Sequence, residues 1–379
     1  MRHHKGLKYL LVGVLVIGVG ILFSNVGITS AKELTFVYIP PNQSEAWHVA
    51  TCTAGEMFAK DLGVKLIVLD PRNDPSEQVK MAHDIAPQVD GAVIIPVTSA
   101  AYKMAEELKR VKNIPVIVVD RDVPTSAADL YIAFGNRQAG ALTAQKIVEL
   151  LTQKFGKPKG KVQIVTGDLS SVVGQERKDG CLDVLNQYPD IEVVNVVEAT
   201  KWVAATAQEK MMASLTAYGR PDAVLCNFDG AATGTVNALK AKRWLKKIGE
   251  ADHVFIGAID AATIVFKYMK DGHVDFTLSQ PNLFYVPIAL YYLKKIALEG
   301  WDELPKDGDI VTEAEVPIGA IASPHEGINP WKEAFWTPGV VTYRPEMKHA
   351  QLLTKGVVVE MENVDAPYFW GNVMPIWGE

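Results

Sequence analysis

Eight short apolar runs, separated by longer amphipathic stretches, constrain this chain more than any other feature of its sequence. The runs occupy 34–39, 65–69, 91–96, 116–120, 162–166, 193–198, 223–227 and 254–260. Each is mostly Val, Ile and Leu without polar alternation, as strands buried on both faces require. The stretches between them, such as 47–62, 76–88, 100–111, 138–155 and 175–188, carry the helical period. Strand, helix, strand, repeated, means parallel sheets covered by helices on both sides. Eight strands could form one large sheet. The length of 379 residues and the break near 132–136 favour two sheets of about equal size.

The N-terminus sets the compartment. Arg2, Lys5 and Lys8 precede an apolar run at 9–23, followed by small residues at Thr29 and Ala31. That run is shorter than the ~20 residues of a membrane-spanning helix. It reads as a secretory signal peptide over 1–31, cut after Ala31. An uncleaved anchor is the alternative, and no cysteine follows that could carry a lipid. Either way the remainder works outside the cytoplasm, in the periplasm or beyond the cell. The net charge of −6 offers no basic face for nucleic acid. Cys52, Cys181 and Cys226 form neither a disulfide framework nor a zinc spacing. Buried thiols are expected, with a Cys181–Cys226 bridge left open.

In parallel sheets, binding residues gather beyond the carboxyl ends of the strands. Those ends are 40–47, 70–73, 96–99, 120–121, 166–174, 200–202, 227–229 and 259–260, rich in carboxylates and amides, with Arg121, Trp47 and Trp202. Sugars are held by such mixtures: hydroxyls meet charged acceptors and forked donors, and C–H faces pack on aromatic rings. No glycine-rich phosphate loop follows the first run, and Gly18 and Gly20 fall inside the signal segment. The eight histidines make no His-x-x-x-His pair, and no Gly-x-Ser-x-Gly elbow occurs. The chain therefore reads as a binder and not an enzyme, with no catalytic residue, metal site or cofactor.

The segments Leu-Asp-Pro-Arg-Asn-Asp-Pro-Ser-Glu-Gln (69–78), Asp-Gly-Ala-Val-Ile-Ile-Pro-Val-Thr-Ser-Ala-Ala (90–101) and Pro-Val-Ile-Val-Val-Asp-Arg-Asp (115–122) resemble the periplasmic ribose-, galactose- and xylose-type binding proteins. So do Gln-Glu-Arg-Lys-Asp-Gly (175–180), Asp-Ala-Val-Leu-Cys-Asn-Phe-Asp (222–229) and Gly-Ala-Ile-Asp (257–260). The resemblance runs in order over about 33–300. It implies an α/β fold of two Rossmann-like lobes, parallel sheets flanked by helices, joined by a three-crossing hinge (periplasmic binding protein type 1). Lobe one would be 32–134 plus about 281–310, and lobe two 135–280 plus a returning C-terminal segment. Hinge candidates are 134–136 and 279–281. The implied function is capture of a monosaccharide or similar polyol between closing lobes, by a monomer, for the permease of an ABC importer. A sensory module of the same fold, or a binder of a nucleoside, cyclitol or furanose signal, is the alternative. Contact with a membrane would come only through the transporter or an uncleaved N-terminal segment.

Position by position, the resemblance assigns Trp47 and His48 to an aromatic pair over one sugar face. It assigns Asp120 and Arg121 to a strand-end grip on adjacent hydroxyls and the ring oxygen. Asn136 falls at the first crossing, and Gln280 is an amide near the second. Arg177 and the stacking Trp202 come from lobe two, as do the acceptors Asp229 and Asp260. Three departures bear on ligand identity: Phe228 stands where the family often has an amide, Ile259 replaces an aromatic, and His48 replaces Phe or Tyr. The segment 324–379 exceeds the small family members. Its Trp331, Phe335, Trp336, Tyr368, Phe369, Trp370 and Trp377 read as an extension packed on the body.

Overall fold

Backbone groups buried beneath helices have to pair with one another, and the apolar runs of this chain do so in two sheets. The computed structural model of the chain describes residues 33–378. The expected signal peptide at 1–31 lies outside those residues. The chain begins with β1 (Thr35–Ile39), α1 (Ala46–Leu62), β2 (Lys65–Val68), α2 (Pro75–Ile85), β3 (Gly91–Ile94), α3 (Lys103–Lys112), β4 (Val116–Val119) and β5 (Leu130–Phe134). It continues through α4 (Asn136–Phe155), β6 (Gly160–Thr166), α5 (Val172–Leu185), β7 (Ile191–Glu198), α6 (Ala204–Tyr218) and β8 (Ala223–Cys226). Then come α7 (Asp229–Ala241), β9 (Phe255–Ile259), α8 (Thr263–Lys270), β10 (Phe276–Ser279) and α9 (Asn282–Glu299). The last part holds β11 (Ile310–Val311), α10 (Ile318–Ile321), β12 (Gly339–Arg344), β13 (His349–Thr354), β14 (Val357–Val359) and α11 (Trp370–Trp377).

The first sheet has the order β11-β12-β13-β5-β4-β3-β1-β2, the second β14-β10-β9-β8-β6-β7. All eight apolar runs are strands. Along β1, Phe36 and Tyr38 enter the core shared with α1 and α9, while Val37 and Ile39 enter the core beneath α2 and α3. Both faces are covered, which is why no polar alternation was visible. The chain passes between the sheets at Gly135, at Gln280–Pro281 and at Lys355–Gly356. Gly356 has no room for a side chain: a Cβ there would press on the Ser279 carbonyl, and on the Phe134 ring at 3.1 Å.

The sheets are mixed and not purely parallel. β12 pairs antiparallel with β11 and β13, and β14 antiparallel with β10. The reason is connectivity. β12 and β13 are joined by a short turn, which permits only antiparallel pairing. β14 arrives across the space between the sheets, so it runs away from the ends toward which β10 points. Residues 339–359, read in the sequence as part of an extension lying on the body, thus supply three strands to the sheets themselves. Trp331 and Trp336 are fully buried in the first core, with the Trp331 indole donating to the Leu283 carbonyl at 2.8 Å. All three cysteines are buried and unpaired, so the Cys181–Cys226 bridge does not form. Instead Cys181 Sγ faces Asn227 Oδ1 at 3.5 Å and Cys226 Sγ faces Thr235 Oγ1 at 3.4 Å.

Two contacts fix elements that carry the site. Helices α4 and α5 touch backbone to backbone, because a Cβ at Gly140 would collide with the Arg177 carbonyl and one at Gly180 with the Arg137 carbonyl. In the first body, His349 on β13 joins the loop after β4. Its Nδ1 donates to the Thr125 carbonyl at 2.9 Å and its Nε2 to Asp122 Oδ1 at 2.7 Å. Gln351 donates to the other Asp122 oxygen. Both ring nitrogens face acceptors, so the ring carries two protons. Burial works against that charge, yet the Asp122 carboxylate and the Thr125 carbonyl outweigh it and raise the His349 pKa.

Gly180→Ala should therefore cost about 1–3 kcal/mol by overpacking α4 against α5. It should lower the urea midpoint while leaving the denaturant slope unchanged. His349→Gln should destabilise in a pH-dependent way. A raised folded pKa contributes stability that is full below the unfolded value, about 6.5, and is lost as pH rises through the folded value. The gap between wild type and variant should thus be widest near pH 6 and narrow toward pH 9. Comparing the two proteins cancels the similar pair His253–Asp275 in the second body.

Candidate functional site

The carboxyl ends of both sheets turn toward one cavity of about 270 Å³. That is at the small end of ligand sites, which run from about 300 Å³ upward. Asn42 shapes its first wall. The Asn42 side chain accepts from the backbone N–H of Ser44 and Glu45 at 2.9 and 2.8 Å, which starts α1 so that Trp47 and His48 reach the cavity. Asn42 itself is 2% exposed and holds the turn that precedes α1. The His48 ring is buried and stands edge-on to Trp47 at 5.1 Å. Burial, with Arg121 adding, holds its pKa well below the ordinary value, so it is neutral. Its Nδ1 and the Trp47 Nε1 are buried without a protein partner, two polar atoms suited to a ligand.

Asp120 follows β4 in the left-handed region, φ 62°, and its carbonyl accepts from the Tyr131 hydroxyl at 2.6 Å. Asp tolerates that conformation better than most side chains. The Arg121 guanidinium lies 3.5 Å from the Asp120 carboxylate. Burial pushes the Asp120 pKa up to about 6, against the pull of Arg121 and Arg177.

The opposite wall comes from the second body. Arg177, 1% exposed, donates from Nε to Asn136 Oδ1 at 2.9 Å and from Nη1 to the Asn227 carbonyl at 2.7 Å. Its Nη1 also lies 3.0 Å from Asp260 Oδ1, which accepts from Gln280 Nε2 at 2.6 Å. Asp260 itself has φ 98°, a strained value at a strand end. Asp229 at the start of α7 accepts the Ala262 N–H at 2.9 Å. Burial, then the neighbouring Asp260 charge, raises its pKa well above the carboxylate range. Burial raises Asp260 as well, with Arg177 opposing. Trp202 lies over Gly167, where a Cβ would strike the indole, and its ring is 5.9 Å from the Arg121 guanidinium and 6.0 Å from that of Arg177.

Of the residues singled out in the sequence, Trp47, His48, Asp120, Arg121, Arg177, Trp202, Asp229, Asp260 and Gln280 line this cavity. Asn136 does not; it reaches the site only through Arg177. The strand ends at 70–73 and 96–99 also stay out. Phe228 and Trp370 line the cavity and were not among the candidates. Phe228 stands edge-on to Trp202 at 5.2 Å, and its place beside Asp229 at a strand end was a usable signal. Trp370 lies far along the chain, where nothing local pointed to it. The arrangement offers charged grips from both bodies and aromatic surface between them. It can hold a small polar molecule.

Comparison with known proteins agrees with this geometry. The family described as periplasmic binding protein domain matches residues 36–300. A Rhizobium meliloti protein described as rhizopine-binding is 30% identical over 235 residues, covering 59% of this chain and 72% of that protein. The ribose import binding protein of Bacillus subtilis is 26% identical over 277 residues, covering 72% and 82%. Among solved structures, an ABC transporter solute-binding protein from Burkholderia graminis in complex with D-arabinose has a TM-score of 0.69 at 20% identity, covering 89% and 99%. The Caulobacter myo-inositol binding protein bound to myo-inositol has 0.66 at 21%, covering 89% and 97%. At that identity the structures speak for the fold alone. The family match spans well over half of the chain, and the chain belongs to the periplasmic binding protein family.

Proposed function

We propose that this chain is an exported solute-binding protein that closes on a monosaccharide or related polyol and delivers it to the permease of an ABC importer. One observation carries the reading: a single cavity receives Asp120 and Arg121 from the first sheet and Arg177, Asp229 and Asp260 from the second. Hydroxyl groups are the ligands such alternating acceptors and donors suit. Relatives named for ribose import and structural neighbours carrying D-arabinose or myo-inositol lean the same way. The family is one of solute-binding proteins and not enzymes. In this reading the lobes meet at the three crossings, which form the hinge; the protein acts as a monomer in the periplasm after loss of 1–31. Hydrogen bonds to charged groups, each worth about 1.5–3 kcal/mol, offset ligand desolvation and closure. A net near −8 kcal/mol corresponds to about micromolar affinity.

Thermal-shift screening against pentoses, hexoses, cyclitols and nucleosides should find a polyol that raises the melting temperature. Titration calorimetry with that polyol should show Asp120→Asn weakening binding about 30- to 1000-fold, the equivalent of about 2–4 kcal/mol. The melting curve of the ligand-free variant should stay near wild type. Binding within threefold of wild type would remove Asp120 from the site. Arg177→Ala should behave differently, losing both affinity and stability, because it also leaves Asn136 and the Asn227 carbonyl without their donor.

Affinity should also depend on pH. If ligand hydroxyls donate to the Asp120 carboxylate, its protonation near pH 6 competes with binding. Affinity should fall toward tenfold per unit below about 6. A flat profile down to pH 5 would contradict that role.

A further inference from the structure

We propose that Trp370 is a specificity-determining wall of the cavity, selecting polyols that present an apolar edge, and that a C-terminal strap footed on both bodies holds it there. The proposal rests on the reading of the cavity as a polyol site. The strap is residues 364–378. On the second body, Phe369 packs beside Phe266 with ring centroids 6.0 Å apart, and Thr263 Oγ1 donates to the Gly371 carbonyl at 2.8 Å. Gly371 lies flat on the loop between β9 and α8: a Cβ there would meet the Thr263 N at 2.8 Å and press into the Ala261 carbonyl. On the first body, the Trp377 ring lies tilted against Trp331, centroids 5.4 Å apart, and its Nε1 donates to the His325 carbonyl at 3.3 Å. Phe335 of the first body touches Tyr368 and Phe369 at 5.6 and 5.9 Å.

Between these footings Trp370, 2% exposed, lines the cavity, and its only polar hydrogen is spent on the Asp260 carbonyl. What it turns to the ligand is therefore hydrocarbon. Phe228 and Ile264 line the same cavity and offer no hydrogen bond either. The nearest polar group, Asp260, meets the Trp370 indole through its main-chain carbonyl, while its carboxylate is held by Arg177 and Gln280. A hydroxyl set against the Trp370 ring would lose water and find no partner on the ring, whereas a C–H or methyl edge would gain contact. Because the strap holds to both bodies without being one of the three chain crossings, its wall is complete only when the bodies are together.

The test is titration calorimetry of the full chain with pairs of polyols that differ at one position: L-fucose and L-galactose, L-rhamnose and L-mannose, and myo-inositol and its mono-O-methyl ether. Wild type should favour the less polar member of at least one pair by about tenfold or more, the cost of one stranded hydroxyl. Trp370→Ala should bring that ratio near one, and Trp370→Phe, the safer variant for folding, should lower it in part. Trp377→Ala, at a residue outside the cavity lining, should lower it too by loosening the strap. Asp120→Asn should weaken both members alike and leave the ratio intact. Equal binding of every pair by wild type, or an unchanged ratio in Trp370→Phe and Trp377→Ala, would overturn the assignment while leaving the polyol reading in place. Failure of every polyol to bind wild type would overturn both.

Discussion

A guanidinium at 1% exposure has to be surrounded by acceptors, and the placement of most of the site follows from how this chain surrounds Arg177. Its partners come from the first residue of α4, the end of β8 and the end of β9. Each is thereby fixed relative to the others. The bonding continues outward: Asp260 accepts from Gln280, whose Oε1 accepts from the Tyr285 hydroxyl, which in turn accepts the Phe134 N–H at the end of β5. One connected set of hydrogen bonds thus runs from the binding wall through two of the passages between sheets. A ligand that reorients Asp260 acts directly on the segments that set the relation of the two bodies.

The same confinement explains the electrostatics. Three carboxylates and two guanidiniums share a cavity where water screens little, so burial raises the pKa of Asp120, Asp229 and Asp260, with the arginines opposing it. Carboxylates so held gain more from a hydroxyl donor than they would at the surface. The strained φ values of Asp120 and Asp260 belong to the same picture. They aim two acceptors from opposite sheets into one space, a conformation that the surrounding bonds have to maintain.

How much of this was legible in the sequence depended on how locally it was written. All eight apolar runs form strands because burial on both faces leaves an unmistakable composition. β5, with the sequence LYIAF, reads as a break and the end of β10, FTLS, as a hinge, because each adjoins a passage between the sheets. β12 to β14 were missed for another reason: a strand that enters a sheet from far along the chain has a pairing partner that no local pattern names. The site divides the same way. Strand ends disclose Asp120, Arg121, Asp229 and Asp260, since topology alone puts them at the cavity, whereas Arg177, inside α5, is assigned only by the family resemblance. Asn136 does not line the cavity; proximity to a crossing does not reveal that its side chain meets Arg177. Trp370 was taken for packing, which it also does, and only the fold brings it beside Asp260.

The position of β13 has a consequence for how the molecule comes into being. It lies inside the first sheet, between β12 and β5, yet it is made of residues 349–354. Until those residues are available, β5 is a bare edge and the first core lacks Leu352. Contacts of such sequence separation form late, because the loop entropy must be met before they contribute. Synthesis of the N-terminal half therefore cannot complete either body in its final form. An architecture whose late segment closes its first sheet keeps the completion of that sheet behind synthesis of nearly the whole chain.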